Sequence, residues 1–329
     1  MAGYNKPINK FIYLAKKTSR GPAGLVIGIT ILFFYLQKIG VNNIINNFSH
    51  VRLNLILIMI ILLMLWIAAG ALNIKIMLTK LIKEEYIHIF HIYCKANTIS
   101  LIIPGQVGDA VIINFFRKYS IPISQGATIF GIDKIITLFW YTIFSIYGML
   151  LINVDIIYIN KAKENAPLTI ALIIVISITI IITIYTLYSN VPERIQNWLT
   201  LARNYIKISK QEILIDWGIT LIRTLLLGGA YWLAIKSFSP SQSPSFIQAL
   251  CLSIMGGMVA YIPISFNGLG TVEAAHIFLF NKIGIEAGPI LSAILSLRVI
   301  MIIVLILGLF LSDLFVKATG RRVEDNTTL

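Results

Sequence analysis

Charge is what this sequence has least of. Only 12% of its 329 residues are charged, about half of the roughly 25% found in soluble domains. Acidic residues are scarcest, 14 against 27 lysines and arginines. That deficit excludes a soluble globular enzyme, a disordered chain and a nucleic-acid-binding module. Cysteine is nearly absent as well. Cys94 and Cys251 sit inside apolar stretches, cannot build a disulfide framework, and read as packing residues. His88 and His91, three apart, have no further ligands nearby in sequence, so a polar interfacial face is expected there and not a metal centre. No phosphate-binding Walker loop, serine–histidine–aspartate set or zinc-protease helix is present. Neither a cofactor nor an enzymatic reaction is implied.

What the chain does have is hydrocarbon. Hydrophobic residues make up 57% of it, and the mean hydropathy is +0.85. A helix needs about 20 mostly apolar residues to cross a bilayer. Six stretches qualify: 22–40, 53–74, 126–153, 167–188, 213–236 and 288–316. The first follows a basic N-terminus and lacks a small-residue cleavage site, so it reads as an uncleaved signal anchor. Two further apolar regions, 86–116 and 246–286, are broken by "IIPGQVGDAV" and "YIPISFNGLGTVEAA". Each half is short for a crossing, and broken helices survive at membrane depth only where protein or a wet cavity satisfies the freed backbone. Both regions are therefore predicted to be re-entrant hairpins. With both termini in the cytoplasm, inner segments carry 17 basic residues and outer segments 5, as the positive-inside rule requires. The excess of positive charge thus points to membrane orientation and anionic head groups.

The two broken regions repeat a pattern. Pro104, Gly105, Gly108 and Asp109 in the first answer to Pro263, Gly268, Gly270 and Glu273 in the second. A basic residue follows each carboxylate at the same distance, Lys134 after Asp109 and Arg298 after Glu273, 25 positions in both cases. Opposed broken helices meeting near the midplane are a transporter signature, so an inverted repeat is expected. The fold class is all-α: about six transmembrane helices plus two opposed hairpins. One transmembrane domain spans 22–316, between a basic tail at 1–21 and a second tail at 317–329.

"IIPGQVGDAV" with "GIDKIITLFW", and "IPISFNGLGTVEAAHIFLF" with "AILSLRVI", resemble the transmembrane domain of lysylphosphatidylglycerol synthases, which also occurs alone as a flippase-like family. The resemblance runs over roughly 20–316 and is most specific in the second half. In the first half Asp109 stands where the family has Glu. Ile112 stands where it has Arg, Asp133–Lys134 where it has Glu–Arg, and Thr137 where it has Asp. The synthase's aminoacyl-transferase domain has no counterpart, so that activity is not carried over.

Charges inside hydrocarbon are functional hypotheses by default. Arg298 lies too deep to snorkel, and its guanidinium can fork onto a phosphate. The competing reading is a scaffold ion pair with Glu273. Lys134 is its analogue, with Asp109 or Asp133 as partner. Arg223 shares a helix face with Asp216, seven residues earlier, and is placed toward a cavity. Asp109 is a candidate N-cap. Thr271 is expected to cap the second half-helix, with Glu273 in its first turn. Trp66, Trp140 and Trp232 fit interface belts or packing. These residues point to a lipid transporter of the cytoplasmic (inner) membrane that binds an anionic phospholipid or isoprenoid-phosphate carrier. The alternatives are a non-transporting accessory subunit of lipid or glycan biosynthesis and a membrane-embedded transferase. Expected partners are the anionic lipid and either a second copy of the chain or a biosynthetic enzyme, with no nucleic acid.

Overall fold

The computed structural model describes residues 20–40, 53–101, 110–152, 193–239, 241–261 and 265–318. Within them all regular structure is helical. Ten α-helices follow in order: α1 Arg20–Ile39, α2 Leu53–Leu78, α3 Tyr86–Ser100, α4 Ile112–Phe116, α5 Ile123–Ile152, α6 Glu193–Ile208, α7 Lys210–Phe238, α8 Phe246–Gly257, α9 Thr271–Asn281 and α10 Ala287–Ala318.

Four of these, α2, α5, α7 and α10, are long and apolar enough to cross a membrane. They match the expected spans 53–74, 126–153, 213–236 and 288–316. The expected first span falls on α1, which is 20 residues long. The expected span 167–188 lies outside the described residues. Much of each long helix remains uncovered by protein. Leu57, Ile61 and Leu65 on α2, Phe139 and Ile143 on α5, and Ile303, Leu307 and Phe310 on α10 are all exposed. A soluble protein does not present apolar rows of that extent; against lipid tails they are satisfied. This is a multi-pass membrane protein.

Apolar surface cannot drive helices together in lipid, so close packing rests on small residues. α7 lies along α2 over most of its length and also touches α8 and α10. Two adjacent glycines make that possible. Gly229 faces Leu62 of α2, and a Cβ on Gly228 would collide with Leu250 of α8. α3 packs between α2 and α10. There a Cβ on Gly70 would strike the Tyr93 ring, while Gly308 faces Cys94. Cys94 and Cys251 are buried packing thiols.

The second broken region is resolved as two short helices folded onto each other. α8 has 12 residues and α9 has 11, roughly 18 and 16 Å at ~1.5 Å per residue, too short for either to cross alone. Ser245 starts α8 with a capping box: its hydroxyl accepts from the Gln248 amide at 3.3 Å, and its own amide donates to Gln248 Oε1 at 3.0 Å. Between α8 and α9 the chain turns through Asn267 and Gly268, both at positive φ, and Gly270 at φ 77°. Gly270, and not Thr271, occupies the N-cap of α9. Thr271 already has helical geometry and bonds Gly268 O and Ser265 Oγ, because only glycine enters that backbone conformation without strain. A Cβ at Gly270 would run into the Gly28 carbonyl of α1, so the turn is locked against α1. In the first broken region, Pro104, Gly105, Gly108 and Asp109 lie outside the described residues, as does Pro263 in the second.

Candidate functional site

Three partly buried cations converge on one cavity. Lys134 of α5, Arg223 of α7 and Arg298 of α10 all line a space of about 200 Å³. Trp66 and Tyr93 close it from α2 and α3, and Asn267 reaches it from the turn between α8 and α9. A single water needs about 10–15 Å³ of such space, so the cavity admits a phosphate-sized group. The lining mixes aromatic walls with a few polar groups, the usual composition of a binding cavity.

Arg298 is held at two points. Its Nη2 lies 2.8 Å from Glu273 Oε1, and its Nη1 donates to the Asn267 carbonyl at 3.1 Å. Glu273 is 0% exposed and Arg298 23%, so the carboxylate is sealed while the guanidinium still reaches the cavity. Glu273 sits in the first turn of α9, as its position after the glycines implied. The helix is clamped one turn later. His276 stacks on Tyr231 with ring centroids 5.2 Å apart, bonds the Val272 carbonyl at 2.7 Å, and occupies the space left by Gly256.

Arg223 is anchored differently. Its Nη2 donates to the Tyr93 hydroxyl at 3.1 Å, its Nη1 lies 3.7 Å from Asp133 Oδ1, and its Cζ is 5.9 Å from the Trp66 ring centre. Sequence proximity suggested Asp133 as a partner for Lys134, but Asp133 faces Arg223. Adjacent helical residues point about 100° apart, so these neighbours look different ways. The Lys134 ammonium lies over the Phe130 ring at 5.4 Å. Trp66, expected at an interface or in packing, is a cavity wall. Trp140 and Trp232 are packed, donating to the Trp217 and Pro244 carbonyls. His88 and His91 form no common polar face. His88 is buried beside Glu84 at 3.4 Å, and His91 pairs with Ser312 at 3.1 Å.

Tyr93 and Asn267 are site residues that sequence reasoning missed. Asn267 carried a signal, because Asn-Gly marks a tight turn and Asn tolerates left-handed backbone. Tyr93 carried none.

The model of the lysylphosphatidylglycerol synthase TM region matches residues 23–308, which takes in every residue of this cavity. The chain belongs to that family. A lysylphosphatidylglycerol synthase transmembrane region is a membrane module concerned with lipid, and no synthase domain is evident beside it here. No curated protein matches the chain. Within this family member, Arg298 (paired with Glu273) and Asn267 line the cavity, as do Arg223 (paired with Asp133) and Tyr93.

Proposed function

We propose that this chain binds an anionic lipid, a phospholipid or an isoprenoid-phosphate carrier, in the cavity and moves it across the cytoplasmic membrane. One observation carries the reading: Lys134, Arg223 and Arg298 face a single phosphate-sized space. Arg298 has five N–H donors, and its two observed contacts leave a fork for phosphate oxygens. Glu273 and Asp133 hold the two guanidinium groups while no lipid is present and compete for them when it leaves, so binding stays reversible. Asp109 is assigned the matching role toward Lys134. The two broken regions act as opposed re-entrant hairpins within a six-span, cytoplasm-in topology, and the chain is a transporter and not an enzyme.

A second reading is a non-transporting accessory subunit of lipid or glycan biosynthesis. What favours it is that Arg223 and Arg298 each already face a carboxylate. Reconstitution of the purified chain into vesicles containing a labelled phosphatidylglycerol separates the two. Transport requires label to reach the opposite leaflet with the wild-type protein and not with Arg298→Ala. Binding without translocation favours the accessory role, and absence of both overturns the lipid reading.

A further inference from the structure

Two turns before Arg223, α7 buries a carboxylate that the cavity chemistry does not use. Asp216 is 0% exposed, and neither of its oxygens meets a hydrogen-bond partner among the described residues. On the helix packed against α7, Asn73 of α2 is also 0% exposed. The Asn73 amide nitrogen donates to Thr220 Oγ1 at 2.8 Å, one helical turn from Asp216, while its Oδ1 has no such partner. An ionised carboxylate in so dry a place is several kcal/mol out of balance unless it is neutralised. Among the described residues the charged and titratable groups around it are few. Asp133 of α5 and Arg223 of α7 lie within electrostatic range, as does Tyr205 of α6. At the end of α2, Lys80 is tied to Glu212 at 3.0 Å. Among the described residues the cation that acts on Asp216 is Arg223, and it is already shared with Asp133 and Tyr93.

We propose that Asp216 is a proton-binding site whose charge state controls Arg223, and through it the affinity of the cavity for anions. The reaction is a plain dissociation: the carboxylic acid releases H⁺ and leaves a carboxylate, with no other bond changed. With Asp216 protonated, Arg223 is balanced by Asp133 alone. Once Asp216 is ionised, the charges of two carboxylates act on one guanidinium, and the group as a whole repels a phosphate. Seven residues at ~1.5 Å rise separate the two side chains by about 10 Å along the axis. For an anion seated on Arg223, a unit charge at that range changes affinity by about tenfold at an effective dielectric near 20. Affinity is therefore highest in acid and falls as pH rises through the Asp216 titration, which gives a lipid carrier without an ATP site a means of coupling to a proton gradient.

The proton site stands independently; its consequence for lipid rests on the function proposed above. The full chain in nanodiscs, examined by infrared difference spectroscopy between mildly acid and alkaline pH, should show a carboxylic-acid C=O band that is lost in Asp216→Asn. If that variant does not fold, Asp216→Glu should displace the band. A wild-type spectrum without the band overturns the site. Control of Arg223 is read without lipid by tryptophan emission, because Trp66 lies under its guanidinium. A pH-dependent change abolished by either Trp66→Phe or Asp216→Asn supports it, and its absence refutes it. In nanodiscs containing phosphatidylglycerol, wild-type affinity should fall about tenfold from acid to alkaline pH, and Asp216→Asn should stay at the acid value. A lack of binding at every pH, with the infrared and emission signals intact, rejects the lipid reading and leaves the proton site. Sodium-dependent thermal stabilisation relative to choline, lost in Asp216→Asn, would reassign the site to a metal cation and overturn the proposal.

Discussion

Removing one partner of the Glu273–Arg298 pair should cost unequal amounts, depending on which partner goes. The oppositely charged atoms are 2.8 Å apart, which at an effective dielectric near 20 is a gross attraction of about 6 kcal/mol. Breaking a buried pair costs about 3–5 kcal/mol, because the survivor is stranded. Here the survivors differ. Arg298→Met leaves Glu273 fully enclosed with no other cation paired to it among the described residues, so the loss should be near the top of that range. Glu273→Gln leaves Arg298 partly exposed and still bonded to the Asn267 carbonyl, so the loss should be nearer 2–3 kcal/mol. At roughly 2 °C per kcal/mol for a chain of this size, thermal unfolding in detergent should drop by about 8–10 °C for Arg298→Met and about 4–6 °C for Glu273→Gln. The double replacement should recover most of the difference, since apolar substitution of both partners is often close to neutral. Phosphatidylglycerol binding should not return with it, because the phosphate fork is gone. Equal losses for the two single variants would refute the asymmetry argued from exposure. A double variant that folds and transports would make the pair scaffold alone.

Gly270→Ala should cost about 2–4 kcal/mol, from positive φ plus collision with Gly28. Gly284→Ala, also at positive φ but in open space, should cost only about 1 kcal/mol; detergent melting curves compare them. Gly70→Ala should displace Tyr93 and so weaken phosphatidylglycerol binding through Arg223, with a stability loss of about 1–3 kcal/mol. A lipid affinity equal to wild type would remove Tyr93 from the site. Reporter fusions after residue 329 should be active only as cytoplasmic-type reporters, and those within 241–245 only as external ones. Asn267→Cys should react with a polar thiol reagent while the buried Cys94 and Cys251 stay silent; a protected Cys at 267 would close the cavity on that side.

Which parts of this molecule could be read in advance follows from how each is encoded. Long apolar helices are written locally, as uninterrupted runs, so α2, α5, α7 and α10 were legible as spans. The Glu273–Arg298 pair was legible too, because a glycine turn, a carboxylate and a deep arginine at a repeated spacing leave few other partners. The pairing of Arg223 was not. Its partners Asp133 and Tyr93 lie 90 and 130 positions away, and Asp133 stands next to a lysine that looked the better match until helical geometry separated them.

The sequence by itself therefore determined the class of the molecule, its principal spans, the break in the second interrupted region and the family. All of these rest on composition and local backbone chemistry. The tertiary structure alone decided that α7 packs along α2, that Trp66 is a cavity wall, that Asn73 meets Thr220, and that Asp216 has no hydrogen-bond partner among the described residues. The reason is physical. A helix that is apolar all round has no polar face to indicate its neighbours, and in lipid the choice falls to small-residue fit and to a few polar contacts between distant parts of the chain.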